Sequence, residues 1–185
     1  MYLTQGINRI SYGALSNSES DGVQLDYIQV SSGSGTTTLY EADSSQNNLG
    51  GTAADQTGNG APGNGTDVGY VGQGLGNYVQ FNDVDVPSSG LYRMLVTYTN
   101  DEVYTGNEGG PAFRSSQFSI NGGSAFTAYF ENTFSWSTWV TTEVDVTLNS
   151  GNNTIRMYNS STSPNPNIES GWAPELAYIQ IASAF

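Results

Sequence analysis

The chain has 185 residues, seventeen acids and only four basic side chains, Arg9, Arg93, Arg114 and Arg156, with no cysteine and no histidine. That inventory excludes disulfide staples, thiol chemistry, histidine triads and Schiff-base lysines, and leaves carboxylates and tyrosines as the chemically active groups. A net charge of −13 excludes nucleic acid as a partner, because phosphate binding rests on Lys and Arg, and it disfavours anionic membranes too; no apolar run reaches the length of a membrane span.

The first thirty residues repeat a later part of the same chain. Leu3–Ile10 aligns without gaps on Leu148–Ile155, and Leu25–Val30 aligns on Leu176–Ile181. Residues 1–30 are therefore expected to be a hairpin equivalent to the last two strands of a preceding, similar module. Residues 31–38, rich in Ser, Gly and Thr, read as a linker. The main domain is expected over residues 39–185. An isolated two-stranded hairpin is marginal in water. It is expected to seek a sheet edge, either in its own chain or in a neighbouring copy; the second case makes the protein a structural or adhesive extracellular module that assembles head-to-tail through exchanged hairpins.

Leu39-Tyr40-Glu41-Ala42-Asp43 opens the main domain. Glu41 and Asp43 are two apart, so on a strand they share a face, and two adjacent carboxylates repel unless a cation joins them. Residues 44–67, rich in Gly, Asn and Thr, read as a long loop before Val68-Gly69-Tyr70-Val71-Gly72. Tyr92, Met94, Val96 and Tyr98 alternate and predict a half-buried strand. Residues 100–113 read as a second long loop, and such loops are usually functional or mobile. Phe118 with Ile120, then Phe126, Ala128 and Phe130, predict further strand faces. Trp136 and Trp139 border the next strand and are expected to pack. Val140, Thr142, Val144, Val146 and Leu148 fall on one face of that strand, with polar residues between them. Gly171-Trp172-Ala173-Pro174 introduces the last strand. Many short alternating strands joined by turns predict an all-β protein, an antiparallel β-sandwich of jelly-roll type.

The order of these features, from Leu39 to Ile181, resembles the family 35 carbohydrate-binding modules and more loosely family 6. The resemblance covers about three quarters of the chain and rests on the ordered set, since no single motif is specific. It implies a galactose-binding-domain-like sandwich that holds a polysaccharide or oligosaccharide, performs no catalysis, and is attached to a catalytic domain or a neighbouring module. Acids are plentiful enough for a two-carboxylate glycosidase, but their abundance fixes no catalytic spacing, and a small sandwich seldom offers a deep cleft. Abundant Thr, Ser, Asn and Gly with many Tyr suit an extracellular, secreted protein.

The resemblance also implies sites. In the family, loops at one end of the sandwich form the ligand site, which matches Asn100, Tyr104, Arg114, Asn167 and Trp172 here. Trp172 is the best stacking candidate, because it lies among Gly and Pro rather than in an alternating strand; a core role is the alternative. Arg114 either pairs with an acid or holds a hydroxyl or carboxylate of the ligand. The family carries a structural Ca²⁺ on the acidic pair matched by Glu41 and Asp43, with a third acid near the start of the final strand. Ala177 stands where that acid is expected, whereas the N-terminal copy keeps Asp26, in phase with Ile28 and Val30. Asp26 is therefore expected to complete the site if the first copy takes the terminal slot. The alternative is an edge strand with solvated acids.

Overall fold

The computed structural model describes residues 37–103, 113–161 and 171–183. Among these residues there are eleven strands and no helix. In chain order they are β1 (Thr38–Glu41), β2 (Asn48–Gly50), β3 (Ala54–Thr57), β4 (Thr66–Gly69), β5 (Tyr78–Val86) and β6 (Gly90–Thr99). They continue as β7 (Arg114–Ile120), β8 (Phe126–Phe130), β9 (Val140–Leu148), β10 (Gly151–Tyr158) and β11 (Glu175–Ser183). Two antiparallel sheets result. One runs β3-β4-β11-β6-β9 with β1 also on β11, the other β2-β5-β10-β7-β8. This is the β-sandwich that the alternation predicts.

The predicted faces meet between the sheets. Tyr92, Met94, Val96 and Tyr98 of β6 are all buried, as are Val146 and Leu148 of β9. Across the gap lie Phe81 of β5, Ile155 and Met157 of β10, Phe118 of β7 and Phe130 of β8. Tyr98 meets Phe130 edge to face at 4.9 Å, one contact that ties the two layers together. Each large apolar side chain so buried contributes about 1.5–3 kcal/mol. The polar residues of β9, Thr141, Glu143, Asp145 and Thr147, face solvent as the period of two requires.

Three expectations change. Residues 44–67 are not a structureless loop: they contain β2, β3 and the start of β4, short strands held by pairing to β5 and to each other. They lack apolar alternation because partners, not burial, fix them. Second, the terminal strands are not a hairpin. β10 pairs with β5 and β7 in one sheet, while β11 pairs with β6, β4 and β1 in the other. The segments repeated by residues 1–30 therefore belong to opposite layers in the copy that is seen. Residues 1–36, and with them the expected N-terminal copy and most of the linker, lie outside the described residues. Third, β1 ends at Glu41, so Asp43 lies in the following turn rather than on the same strand.

Candidate functional site

Strand direction gathers the loops at one end. Thr99, the last residue of β6, pairs with Glu175, the first of β11. Arg114, the first of β7, pairs with Phe130, the last of β8. Val140 begins β9 beside Tyr98, and β4 ends at Gly69. Asn100, Arg114 and Trp172 all fall at this end, as predicted. Tyr104 and Asn167 lie outside the described residues.

A chain of hydrogen bonds runs from Asn100 through Arg114 to Ala173, the neighbour of Trp172. Asn100 is fully buried, and its amide nitrogen donates to the carbonyls of Phe130 (3.3 Å) and Glu131 (3.4 Å). Its side-chain oxygen accepts from the Glu102 N–H at 3.0 Å. The Glu102 carboxylate accepts from Arg114 Nε at 3.0 Å and Nη2 at 2.5 Å. Arg114 Nη1 donates to the Ala173 carbonyl at 2.8 Å, next to Trp172. The guanidinium also lies 5.0 Å from the centroid of the Trp136 ring. Arg114 thus pairs with an acid, and it clamps three loops together.

Trp172 is half-buried, and its backbone forms a bridge with Gly72. Gly72 has φ of 107°, and a Cβ there would lie 2.5 Å from the Gly171 carbonyl oxygen, so only glycine allows this approach. The Trp172 ring meets Tyr70 edge to face at 6.3 Å. Tyr70 is 54% exposed and has φ of 58°, a left-handed conformation uncommon for an aromatic residue. Phe134, 66% exposed with φ of 61°, shares both properties. Neither was singled out as a site residue from the sequence, because exposure and backbone hand leave no mark in residue order. Trp139 packs as expected, its indole N–H donating to the Asn59 carbonyl at 3.0 Å.

Beside this end lies an acid pair, Asp67 buried and Glu175 half-buried, that the sequence reading also missed. The Asn59 amide nitrogen donates to Glu175 Oε2 at 2.7 Å and to Asp67 Oδ2 at 3.3 Å. Asp67 is fully buried. Burial, then the charge of Asp67, pushes the Glu175 carboxyl up to about 7, against an opposing pull from Arg114. Burial raises Asp67 as well.

The expected metal ligands Glu41 and Asp43 line one open pocket with Tyr40, Asn47 and Asn64. Asn64 donates its amide to both Asp43 oxygens at 2.9 Å. Glu41 Oε2 is buried without a hydrogen-bond partner, and a Cβ on Gly63 would lie 2.6 Å from Glu41 Oε1. Burial and the nearby Asp43 charge raise the Glu41 carboxyl. The Ala42 N–H donates to the Ala177 carbonyl at 2.9 Å, so Ala177 does adjoin this pocket, without an acid to offer. Among the described residues no three acidic side chains converge on one metal position. Asp26 lies outside them.

Comparison with known proteins assigns the chain and its fold to a family. The family model for carbohydrate binding module (family 6) matches residues 41–172. A family 35 carbohydrate binding module from Clostridium thermocellum is 42% identical, with a TM-score of 0.68, over 79% of this chain and 98% of that one. Among curated proteins, an exo-beta-D-glucosaminidase of Amycolatopsis orientalis is 35% identical over 110 residues, 55% of this chain. Endo-1,4-beta-xylanase B of Cellvibrio japonicus (strain Ueda107) is 32% identical over 111 residues, 56% of this chain. The match spans only 10% and 17% of those enzymes. The chain belongs to the carbohydrate-binding modules of the family 6 and 35 type, and is a non-catalytic sugar-binding domain.

Proposed function

We propose that this module holds a polysaccharide at the loop end of the sandwich and so anchors an attached catalytic domain to its substrate, outside the cell. The observation that carries the reading is the Tyr70–Trp172 pair: Tyr70 is exposed, and half-buried Trp172 adjoins Ala173, whose carbonyl the Arg114 clamp holds. An aromatic face takes the apolar C–H face of a sugar, and the loop carbonyls and carboxylates around it suit hydroxyls. Anchoring raises the effective concentration of the tethered enzyme at the polymer. The two curated relatives described above are enzymes much longer than the matched region, which supports attachment. A glycan array of galactan, mannan, xylan and polyuronate oligosaccharides tests this. Binding without turnover is expected, and Trp172→Ala should weaken it by roughly 1–3 kcal/mol with the fold intact. Normal binding by that variant would remove Trp172 from the site.

The same reading includes a structural Ca²⁺ on Glu41 and Asp43. The orphaned Glu41 Oε2 is the kind of hard oxygen the ion takes, and an Asn64 amide turned to present its oxygen would add another. Asp26 is the candidate third carboxylate. Chelator should lower the melting temperature and added calcium restore it. A melting curve unmoved by chelator, with no metal by elemental analysis, excludes the ion.

A second reading is self-assembly through exchanged strands, favoured by the repeat of β10 and β11 sequences in residues 1–30. Light scattering decides it: a mass that rises with concentration supports exchange, and a constant monomer mass opposes it.

A further inference from the structure

We infer that Phe134 is a second stacking platform of the loop-end site, so that the module reads a chain of two or more sugar residues rather than one terminal sugar. The inference rests on the sugar-binding reading above. Its starting point is a residue whose conformation works against stability. Phe134 has φ of 61° and is 66% exposed. A left-handed backbone costs a side-chain-bearing residue of this kind energy that Gly or Asn largely avoids, and an exposed ring recovers little of it by burial. Stability alone therefore gives no reason for an aromatic side chain here.

The surrounding loop is nevertheless held rigidly in this shape. The Phe134 N–H donates to Asn132 Oδ1 at 2.7 Å, and Asn132 Nδ2 donates to the Glu102 carbonyl at 2.6 Å. The Thr133 N–H donates to the Asn100 carbonyl at 2.7 Å, and the Asn100 N–H donates to Thr133 Oγ1 at 3.0 Å. Thr99 Oγ1 donates to the Ser135 carbonyl at 2.9 Å. Thr99, Asn100 and Thr133 are all buried. A ring that is exposed, unfavourable where it stands and rigidly presented is a contact surface for something outside the chain.

Its position selects the occupant. The loop that carries Phe134 is pinned to Asn100 and Glu102, while Trp172 adjoins Ala173, the other partner of Arg114. The Arg114–Glu102 pair thus links the loop of Phe134 to the segment of Trp172. Trp172 with Tyr70 forms one platform, and Phe134 belongs to a different loop of the same end. One pyranose covers one aromatic face; the next residue along the chain is the natural occupant of the other.

The test uses the whole chain, the oligosaccharide it binds best on the array described above, and the monosaccharide that ends that oligosaccharide. Titration calorimetry compares the unmodified protein with Phe134→Asn, which suits the left-handed backbone, and Phe134→Tyr, which keeps the ring. Phe134→Asn should weaken oligosaccharide binding about tenfold while monosaccharide binding changes less than about twofold, and Phe134→Tyr should bind within about twofold of the original. The melting temperature of Phe134→Asn should be unchanged or higher. Phe134→Gly, which tolerates the same φ, replaces it if the asparagine variant does not fold. Unchanged oligosaccharide affinity overturns the inference, as does an equal loss for both ligands, which would place Phe134 on the first sugar. Unchanged affinity with a lower oligomeric mass assigns the ring to a protein contact instead. An unmodified protein that binds nothing on the array overturns the sugar-binding reading itself.

Discussion

At the scale of single residues, the loop end shows which roles sequence can and cannot assign. Asn100, Arg114 and Trp172 were legible as residues of the loop end, because the order of motifs places them at strand ends. Their division of labour was not. Asn100 and Arg114 shape loops with bonds made inside the protein, whereas Tyr70 and Phe134 are exposed, each with a positive φ that no residue order announces. The Glu102 partner of Arg114 was equally hidden, twelve positions away in the sequence. The clamp makes a testable energetic claim. The Arg114 side chain is 10% exposed and that of Glu102 27%, so removing one charge strands the other in a poorly solvated place. Glu102→Gln should cost about 1–3 kcal/mol of stability by denaturant titration, the scale of a buried polar group left unsatisfied. It should also weaken glycan binding by loosening the Ala173–Trp172 segment. A variant as stable as the original would show that the pair is held by its surroundings rather than holding them.

At the scale of elements, the strands with strict alternation were readable and those without it were not. β9 and β6 declare their buried faces every second residue. β2 and β3 declare nothing, since three or four residues paired to a neighbour need no apolar period. The β9–β10 connection shows the same contrast at a turn. Gly151 has φ of 83°, and the amide of Asn153 donates to the carbonyls of Asn149 (2.8 Å), Gly151 (2.9 Å) and Val84 (3.2 Å). Its oxygen accepts from the Asn149 N–H at 2.9 Å and from Asn121 Nδ2 at 2.8 Å. One buried side chain therefore closes the turn and joins it to β5 and to the end of β7. The repeated segment keeps Leu3, Gly6, Asn8 and Ile10 at the positions of Leu148, Gly151, Asn153 and Ile155. Gly6 and Asn8 are the residues this turn requires, and Leu3 and Ile10 repeat the core positions that flank it. Asn153→Ala should lose about 2 kcal/mol or more, because it leaves several buried backbone groups without partners. A loss below a few tenths of that, measured by thermal unfolding with unchanged cooperativity, would mean that water replaces the amide at little cost.

At the scale of the whole molecule, seventeen acids against four arginines make stability depend on pH, and the sign follows from the buried pair. Glu175 titrates near 7 in the fold against an ordinary value of 4.5, and Asp67 and Asp55 are shifted in the same direction, chiefly by burial. Between about pH 4.5 and 7 the folded chain holds a proton that the unfolded chain has released. Stability is therefore greatest below that window and falls as pH rises through it, levelling off once Glu175 is ionised in both states. Net negative charge adds repulsion in the same direction. Glu175→Gln separates the two effects, since its side-chain oxygen can still accept from Asn59 but no longer ionises. Melting temperatures taken from pH 5 to 8 at constant ionic strength should fall for the original chain and fall much less for the variant. The measurements belong in chelator, because a cation bound at Glu41 and Asp43 would stabilise the ionised state and oppose the trend. Equal slopes for the two proteins would move the pH dependence from the Asp67–Glu175 pair to the surface charge as a whole.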